Sequence, residues 1–196
     1  MYRVIGTVKS RAFRVMWMLE ELGQPYALVP AAPRSDEALE YNPLGKIPAL
    51  LDGDTVLTDS VAIMTYLADK HNGLTAPAGT PERARQDAMT CWLIDEMDAN
   101  LWTAAKHSFV LPEKLRVPEI KPTLHAEFAR TTDTFEKSLS AAGNFIMGDD
   151  ITLPDLLAVH CLGWAFGAKY PPLSEPLKAY SKRLRARPAF RAAAGR

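Results

Sequence analysis

Two cysteines in 196 residues cannot staple a fold, so stability has to come from a buried core, and a chain of this length buries roughly 70% of its unfolded surface. Cys91 and Cys161 each sit in an apolar helical stretch, CWLIDEM and VHCLGWAF, and read as buried free thiols. No sign of charge dominates: 23 Lys plus Arg balance 23 Asp plus Glu, which removes any general reason to expect nucleic acid or an anionic membrane as partner. Nowhere does an apolar run reach about eighteen residues, the length that signals a membrane span. The N-terminus MYRVIGTVKSR also lacks the charged-then-apolar pattern of a secretory signal, so the default compartment is cytoplasmic. His71, His107, His125 and His160 show no ligand spacing, and no metal is expected. A C-x-x-C pair is missing too, which speaks against glutaredoxin-like redox chemistry.

What is present divides into two compositions. Residues 2–7 read as a short buried strand, and residues 11–22 as a helix apolar nearly all round (Phe13, Val15, Met16, Trp17, Met18, Leu19, Leu22) that must be covered on most sides. Gly23 and Pro25 end it, and residues 26–29 form a second strand, followed by a variable connection over 30–41. Pro48 then opens an apolar strand at 49–51, where a missing N–H breaks no ladder. Asp52-Gly53 is a hairpin turn, residues 55–57 the returning strand, and Asp59-Ser60 the start of a helix with Val61, Met64, Leu67 and Ala68 inward. The tip of such a helix directs unsatisfied N–H groups and partial positive charge at whatever lies beside Ser60.

Past Lys70, Asn72-Gly73 and the Gly/Pro-rich residues 76–81 mark a linker, and everything beyond reads as helical: 81–109, 118–139, 152–167 and 173–187, with a terminal turn over 188–194. The helix at 152 opens on Thr-Leu-Pro-Asp155, a capping box, with Ile151 and Leu156 placed for a hydrophobic staple. Trp164 and Phe166 read as core, and the basic run Lys178, Lys182, Arg183, Arg185, Arg187 and Arg191 as a solvated face.

The segments SRAFRVMWMLEELG, NPLGKIPALLDGDTVLTDSVAIMTYLA and GDDITLPDLL, in this order and spacing over nearly the whole chain, resemble the cytosolic glutathione transferases, in particular the theta-like, serine-type bacterial members. The resemblance implies an α/β thioredoxin-like N-terminal domain (1–72), a linker (73–80) and an all-α C-terminal helical domain (81–196). It implies glutathione as cosubstrate and a homodimer, and a detoxifying transferase that conjugates glutathione to an electrophilic, apolar substrate. Carried over, Ile47 before Pro48 resembles the position whose backbone pairs with the cysteinyl part of glutathione, and Asp59 with Ser60 the pair holding its γ-glutamyl end. Lys46 occupies a position that often adds a contact to the tripeptide. Trp102, Lys106 and Phe109, at i, i+4 and i+7 on the long helix, fall on the face that lines the family's electrophile pocket, where Arg11 is a further candidate.

The family's activating residue is Tyr, Ser or Cys near the end of the first strand, and here only hydroxyls stand there: Ser10, which resembles the theta-like serine, and Thr7 as rival. Ala12 stands where some relatives have Pro. A free thiol has a pKa of about 8.5, so a thiolate well populated at neutral pH needs about 2 kcal/mol. A hydrogen bond to a charged acceptor supplies about 1.5–3 kcal/mol and a helix N-terminus about 0.3–1. Ser10 is therefore cast as donor to a thiolate; a hydroxyl is too weak a base to deprotonate a thiol. Two other uses of the site remain open at this point. One is peroxidase, dehalogenase or isomerase chemistry on the same thiolate, and the other is a transferase-like module that binds without turnover.

Overall fold

The computed structural model describes the backbone of residues 1–196 and the side chains of all but residues 140 and 141. By its internal contacts the chain forms two units, one of Met1–Ala78 with Leu184–Arg196 and the other of Gly79–Arg183.

The first unit is a thioredoxin-like α/β layer. Its elements run β1 (Tyr2–Gly6), α1 (Ala12–Glu21), β2 (Tyr26–Pro30), α2 (Asp36–Tyr41), β3 (Ala49–Asp52), β4 (Thr55–Thr58) and α3 (Ser60–His71). The sheet order is β2-β1-β3-β4, with β1 and β2 parallel and the other neighbours antiparallel. The parallel pair needs a crossover, which α1 supplies; the β3–β4 pair needs only the two-residue turn Gly53-Asp54, one position on from the Asp52-Gly53 expected. Helix α2 occupies the connection that the sequence left without regular structure. It is one and a half turns long, and Ser35 caps it by accepting the Ala38 N–H at 3.3 Å. Its Ala38 joins Ile5, Ala31, Ala49 and Leu51 in a cluster that Ile47 packs against.

Helix α1 is covered along its whole length, as its composition demands: Ala12 to Leu19 are all buried. Each large apolar side chain among them contributes about 1.5–3 kcal/mol on an extended-chain reference. Part of the cover comes from α9 (Pro188–Ala194), whose Phe190 meets Phe13 and Trp17 edge-on at 5.0 and 4.9 Å. Arg187 just ahead of α9 makes a two-pronged pair with Glu21 at 2.6 and 2.7 Å, and Glu21 also accepts from the Trp17 indole. Arg196 pairs with Glu20 through two donors on a single oxygen, Oε1. Residues Leu184–Arg196 therefore belong with the α/β unit, held by contacts more than 160 positions apart in sequence. The basic run is in consequence not uniformly solvated, since Arg187 is ion-paired and Arg185 and Arg183 lie over the rings of Phe190 and Phe145.

The second unit is helical. A continuous run combines α4 (Pro81–Trp92), a π-helical stretch (Leu93–Asp98), α5 (Ala99–Ala105) and a second π stretch (Lys106–Val110). After two short 3-10 turns come α6 (Lys121–Ala142), α7 (Leu153–Gly167) and α8 (Glu175–Arg185). Thr80 caps α4, and the buried stripe Arg83, Gln86, Thr90, Leu93, Met97, Leu101 keeps helical spacing. Cys91 falls one position off that stripe and is exposed, contrary to its reading as buried, whereas Cys161 on α7 has no exposed surface. Phe166 likewise departs from the expected core: at the last turn of α7 it is 82% exposed. Between α5 and α6, Asn100 donates to the Leu124 carbonyl and accepts from Tyr170, a fully buried polar tie. The capping box at Thr152 is formed, and Asp155 is its buried centre. No described helix is long and apolar enough to cross a membrane.

Candidate functional site

Sheet register gathers the predicted residues of the first unit. Ile5 faces Ala49 and Ala49 faces Thr58, so the carboxyl end of β1, the amino end of β3 and the carboxyl end of β4 lie at one end of the sheet. Thr7 and Ser10 follow the first, Ile47-Pro48 precede the second and Asp59-Ser60 follow the third. Gly6 measures how close they come. A Cβ built on it would stand 2.6 Å from the Ala12 Cβ and 3.5 Å from the Ile47 Cβ, at φ +148°. Only a glycine allows the first turn of α1 and the Ile47 loop to meet β1 this closely. Gly6→Ala is accordingly expected to cost about 1–3 kcal/mol, read as a lower denaturant midpoint, and to shift the amide resonances of Ala12 and Ile47.

The Ile47-Pro48 peptide is cis. Ile47 is half-buried through its side chain, while its backbone N–H and C=O make no hydrogen bond among the described residues. A strand-like partner can therefore add to this backbone from outside the chain. The preceding loop is held by Asn42. Its Nδ2 donates to the Lys46 carbonyl at 3.0 Å and its Oδ1 accepts the Leu44 N–H at 3.0 Å. The Lys46 side chain stands in solvent.

Asp59 holds φ +68° and ψ 127°, a conformation costly for a residue with a Cβ, of the kind that persists where the surroundings demand it. Its Oδ1 accepts the Val61 and Ala62 N–H groups at 2.9 and 3.2 Å and so caps α3. Oδ2 has no partner among the described residues and faces no competition from the cap. Beside it, Ser60 is 3% exposed. Its hydroxyl accepts from Nη1 of Arg14 at 3.3 Å. Arg14, in the first turn of α1, has no exposed surface at all. Sequence reading missed it because a single charge in an apolar helix is normally assigned to solvent, and its partner lies 46 positions away.

Ser10 is half-buried, and its hydroxyl is engaged on both sides, donating to the Thr7 carbonyl at 2.8 Å and accepting the Ala12 N–H at 3.1 Å. That is the capping geometry Ser favours before a helix. To donate to a ligand anion, Ser10 must give up the bond to Thr7. A neutral hydrogen bond contributes about 0.5–1.5 kcal/mol and one to a charged acceptor about 1.5–3, so the exchange is favourable by roughly 1 kcal/mol. The Thr7 hydroxyl has no partner among the described residues.

In the second unit, Trp102 and Lys106 are half-buried and Phe109 is 70% exposed. The i, i+4, i+7 face drawn across them assumed an uninterrupted α-helix. From Lys106 the helix widens to i→i+5 bonding, seen in Leu111 N–H to Lys106 O at 3.0 Å, so Phe109 is turned away from the phase of Trp102. Among the described residues no group of three or more His, Cys, Asp or Glu side chains is placed to hold a metal ion.

Comparison with known proteins covers both units. Residues 10–70 match the glutathione S-transferase N-terminal domain and residues 100–188 the glutathione S-transferase C-terminal domain. Glutathione S-transferase 3 of Zea mays is 34% identical over 196 residues, taking in 90% of this chain and 85% of the maize protein. Human glutathione S-transferase theta-1 is 34% identical over 139 residues, taking in 68% of this chain but only 58% of the human protein's length. Among solved structures, a glutathione transferase of Phanerochaete chrysosporium in complex with oxidized glutathione superposes with a TM-score of 0.82 at 25% identity, covering 98% of this chain and 94% of the other.

Proposed function

This chain belongs to the glutathione S-transferase family, and on that premise we propose that it conjugates glutathione to an electrophilic, apolar small molecule, with Ser10 as donor to the thiolate. The observation that carries this reading is the convergence at one sheet end of an Ile47 backbone and an Asp59 carboxylate oxygen that have no partner among the described residues, together with the buried Ser60 hydroxyl.

Glutathione offers a complementary group for each. Its γ-glutamyl ammonium meets Asp59, and its γ-glutamyl carboxylate meets Ser60 and the N-terminal turn of α3, where N–H groups and the helix dipole favour an anion. Its cysteinyl backbone pairs with Ile47 beside Pro48, and Lys46 supplies a cation for the tripeptide's other carboxylate. This places the thiol toward the start of α1. There the thiol releases its proton to solvent, and Ser10 turns its O–H from the Thr7 carbonyl to the sulfur anion. The thiolate then attacks an electrophilic carbon, forming the C–S bond as the leaving group departs with its electron pair. Arg11, next to Ser10, is the residue of this unit proposed to contact the electrophile. A homodimer is the expected assembly. The oxidized glutathione in the Phanerochaete chrysosporium structure supports the choice of ligand.

Calorimetric titration with glutathione, followed by conjugation to a chlorinated nitrobenzene, tests the reading. Micromolar-to-millimolar binding with turnover is expected. Binding without turnover on any electrophile or peroxide identifies a binding module instead, and turnover on peroxide alone identifies reductive chemistry on the same thiolate. Asp59→Asn separates the two duties of that residue. It keeps an oxygen for the Val61 and Ala62 N–H groups but removes the charge, so KM for glutathione is expected to rise about fivefold, the equivalent of about 1 kcal/mol for an exposed ion pair, while the melting temperature stays nearly unchanged.

A further inference from the structure

Arg14 is placed where an arginine is costly. It lies without exposed surface in a helix of apolar side chains, and its Nη1 reaches across to the first residue of α3. A guanidinium has five N–H donors and no acceptor, so in this contact the Ser60 oxygen accepts and cannot direct its own proton back. Among the described residues that proton has no acceptor, because Ser60 makes no other hydrogen bond. Arg14 itself is satisfied, since no buried side-chain nitrogen or oxygen among the described residues lacks a partner. A hydroxyl 3% exposed with its acceptor role taken and its donor role unspent is prepared for an anion. The 3.3 Å separation is slightly longer than an ordinary bond. It tightens when an anion draws on the Ser60 proton, because hydrogen bonds in a chain polarise one another.

Resting on the glutathione reading above, we propose that Arg14 is a positioning residue for the γ-glutamyl carboxylate. It acts through Ser60, holding the hydroxyl oxygen from behind so that its O–H is presented to the carboxylate at the tip of α3. Lysine keeps the charge but not the planar fork, and a neutral side chain keeps neither. With a neutral residue at position 14, Ser60 is free to rotate and to spend its proton within the chain.

The test compares two ligands on the full-length protein by calorimetry. One is glutathione; the other is 4-aminobutyryl-cysteinylglycine, which lacks only the γ-glutamyl carboxylate. Arg14→Met is expected to weaken glutathione about tenfold or more, the range of a hydrogen bond to a charged group, and to leave the carboxylate-free ligand unaffected. In turnover with a chlorinated nitrobenzene, KM for glutathione rises while kcat at saturation changes far less. Arg14→Lys restores part of the affinity, and Ser60→Ala costs less in the Arg14→Met background than in the wild type. Equal losses for both ligands, or unchanged glutathione affinity in a variant with native circular dichroism, overturn the proposal. Should Arg14→Met fail to fold, Arg14→Lys carries the same two-ligand comparison, and equal losses there overturn it equally. Wild-type protein that binds neither ligand removes the glutathione reading together with this one. Wild-type binding of glutathione without any ligand difference in the variants removes this inference alone.

Discussion

Ser10→Ala is expected to lower kcat/KM for conjugation by about five- to tenfold and to move the alkaline rise of the pH–rate profile up by about one pH unit. Both effects have one origin. The bound thiol loses a donor to its anionic form, so a larger share of it stays protonated at neutral pH, and the remaining thiolate is the same nucleophile as before. Pre-steady-state rates measured well above the thiol's pKa should therefore converge for wild type and variant. Affinity for glutathione should fall only modestly, because Asp59, Ser60 and the Ile47 backbone are untouched. The capping bond from Ala12 N–H is lost too, which lowers stability by about 1 kcal/mol. Thr7 supplies the control. Its hydroxyl has no partner among the described residues, so Thr7→Val retains activity if Ser10 is the donor. If Ser10→Ala is fully active and Thr7→Val is not, the donor is Thr7.

Asp155→Ala is expected to destabilise the protein by about 3–5 kcal/mol and to lower its melting temperature by about 10 °C, each unsatisfied buried donor costing about 1–3 kcal/mol. The carboxylate has no exposed surface. Its Oδ1 accepts from Ile146 N–H at 3.0 Å and Tyr180 O–H at 2.6 Å, and its Oδ2 accepts from the backbone N–H and hydroxyl of Thr152 at 2.8 and 3.1 Å. One side chain thus caps α7, fixes the turn before it and ties in α8. Burial pushes the Asp155 carboxyl up from its ordinary value, against these hydrogen bonds. The folded state therefore holds the proton more tightly than the unfolded chain. This group's contribution is full below the unfolded pKa of about 4 and declines as pH rises toward the folded value. The gap in stability between wild type and Asp155→Ala, measured by denaturant titration at several pH values, should narrow across that window.

The same Asp155 shows what the sequence makes legible. A Thr-x-x-Asp box before an apolar run is local chemistry, read within four residues, and the structure forms it at the expected place. The all-round apolar α1, the hairpin at Gly53 and the Asp59 cap are legible for the same reason, since each depends on spacing or on one turn. The gathering of Ser10, Ile47 and Asp59 at one end of the sheet follows from the strand order and register, which local spacing does not give.

What escaped depends on partners distant in sequence or on helix geometry that leaves no periodic mark. Arg14 looks like a solvent-facing charge until Ser60 is placed behind it. Gly6 is an ordinary strand residue until Ala12 and Ile47 close on its α-carbon. Residues 184–196 read as the tail of a helical region, but Phe190 finds Phe13 and Trp17. The two π-helical stretches sit in a sequence whose apolar spacing is still that of an α-helix, so the rotation of Phe109 away from Trp102 was not visible. Helix α2 is too short and too acidic, DEALEY, to show a stripe.

The central claim is that this site binds glutathione and makes its sulfur anionic near neutral pH. Following the ultraviolet absorbance of the thiolate while the wild-type complex is titrated with base tests it most directly. The account predicts a bound thiol ionising about one to two pH units below the free value of about 8.5, returning most of the way in Ser10→Ala. A bound thiol that titrates like free glutathione contradicts it.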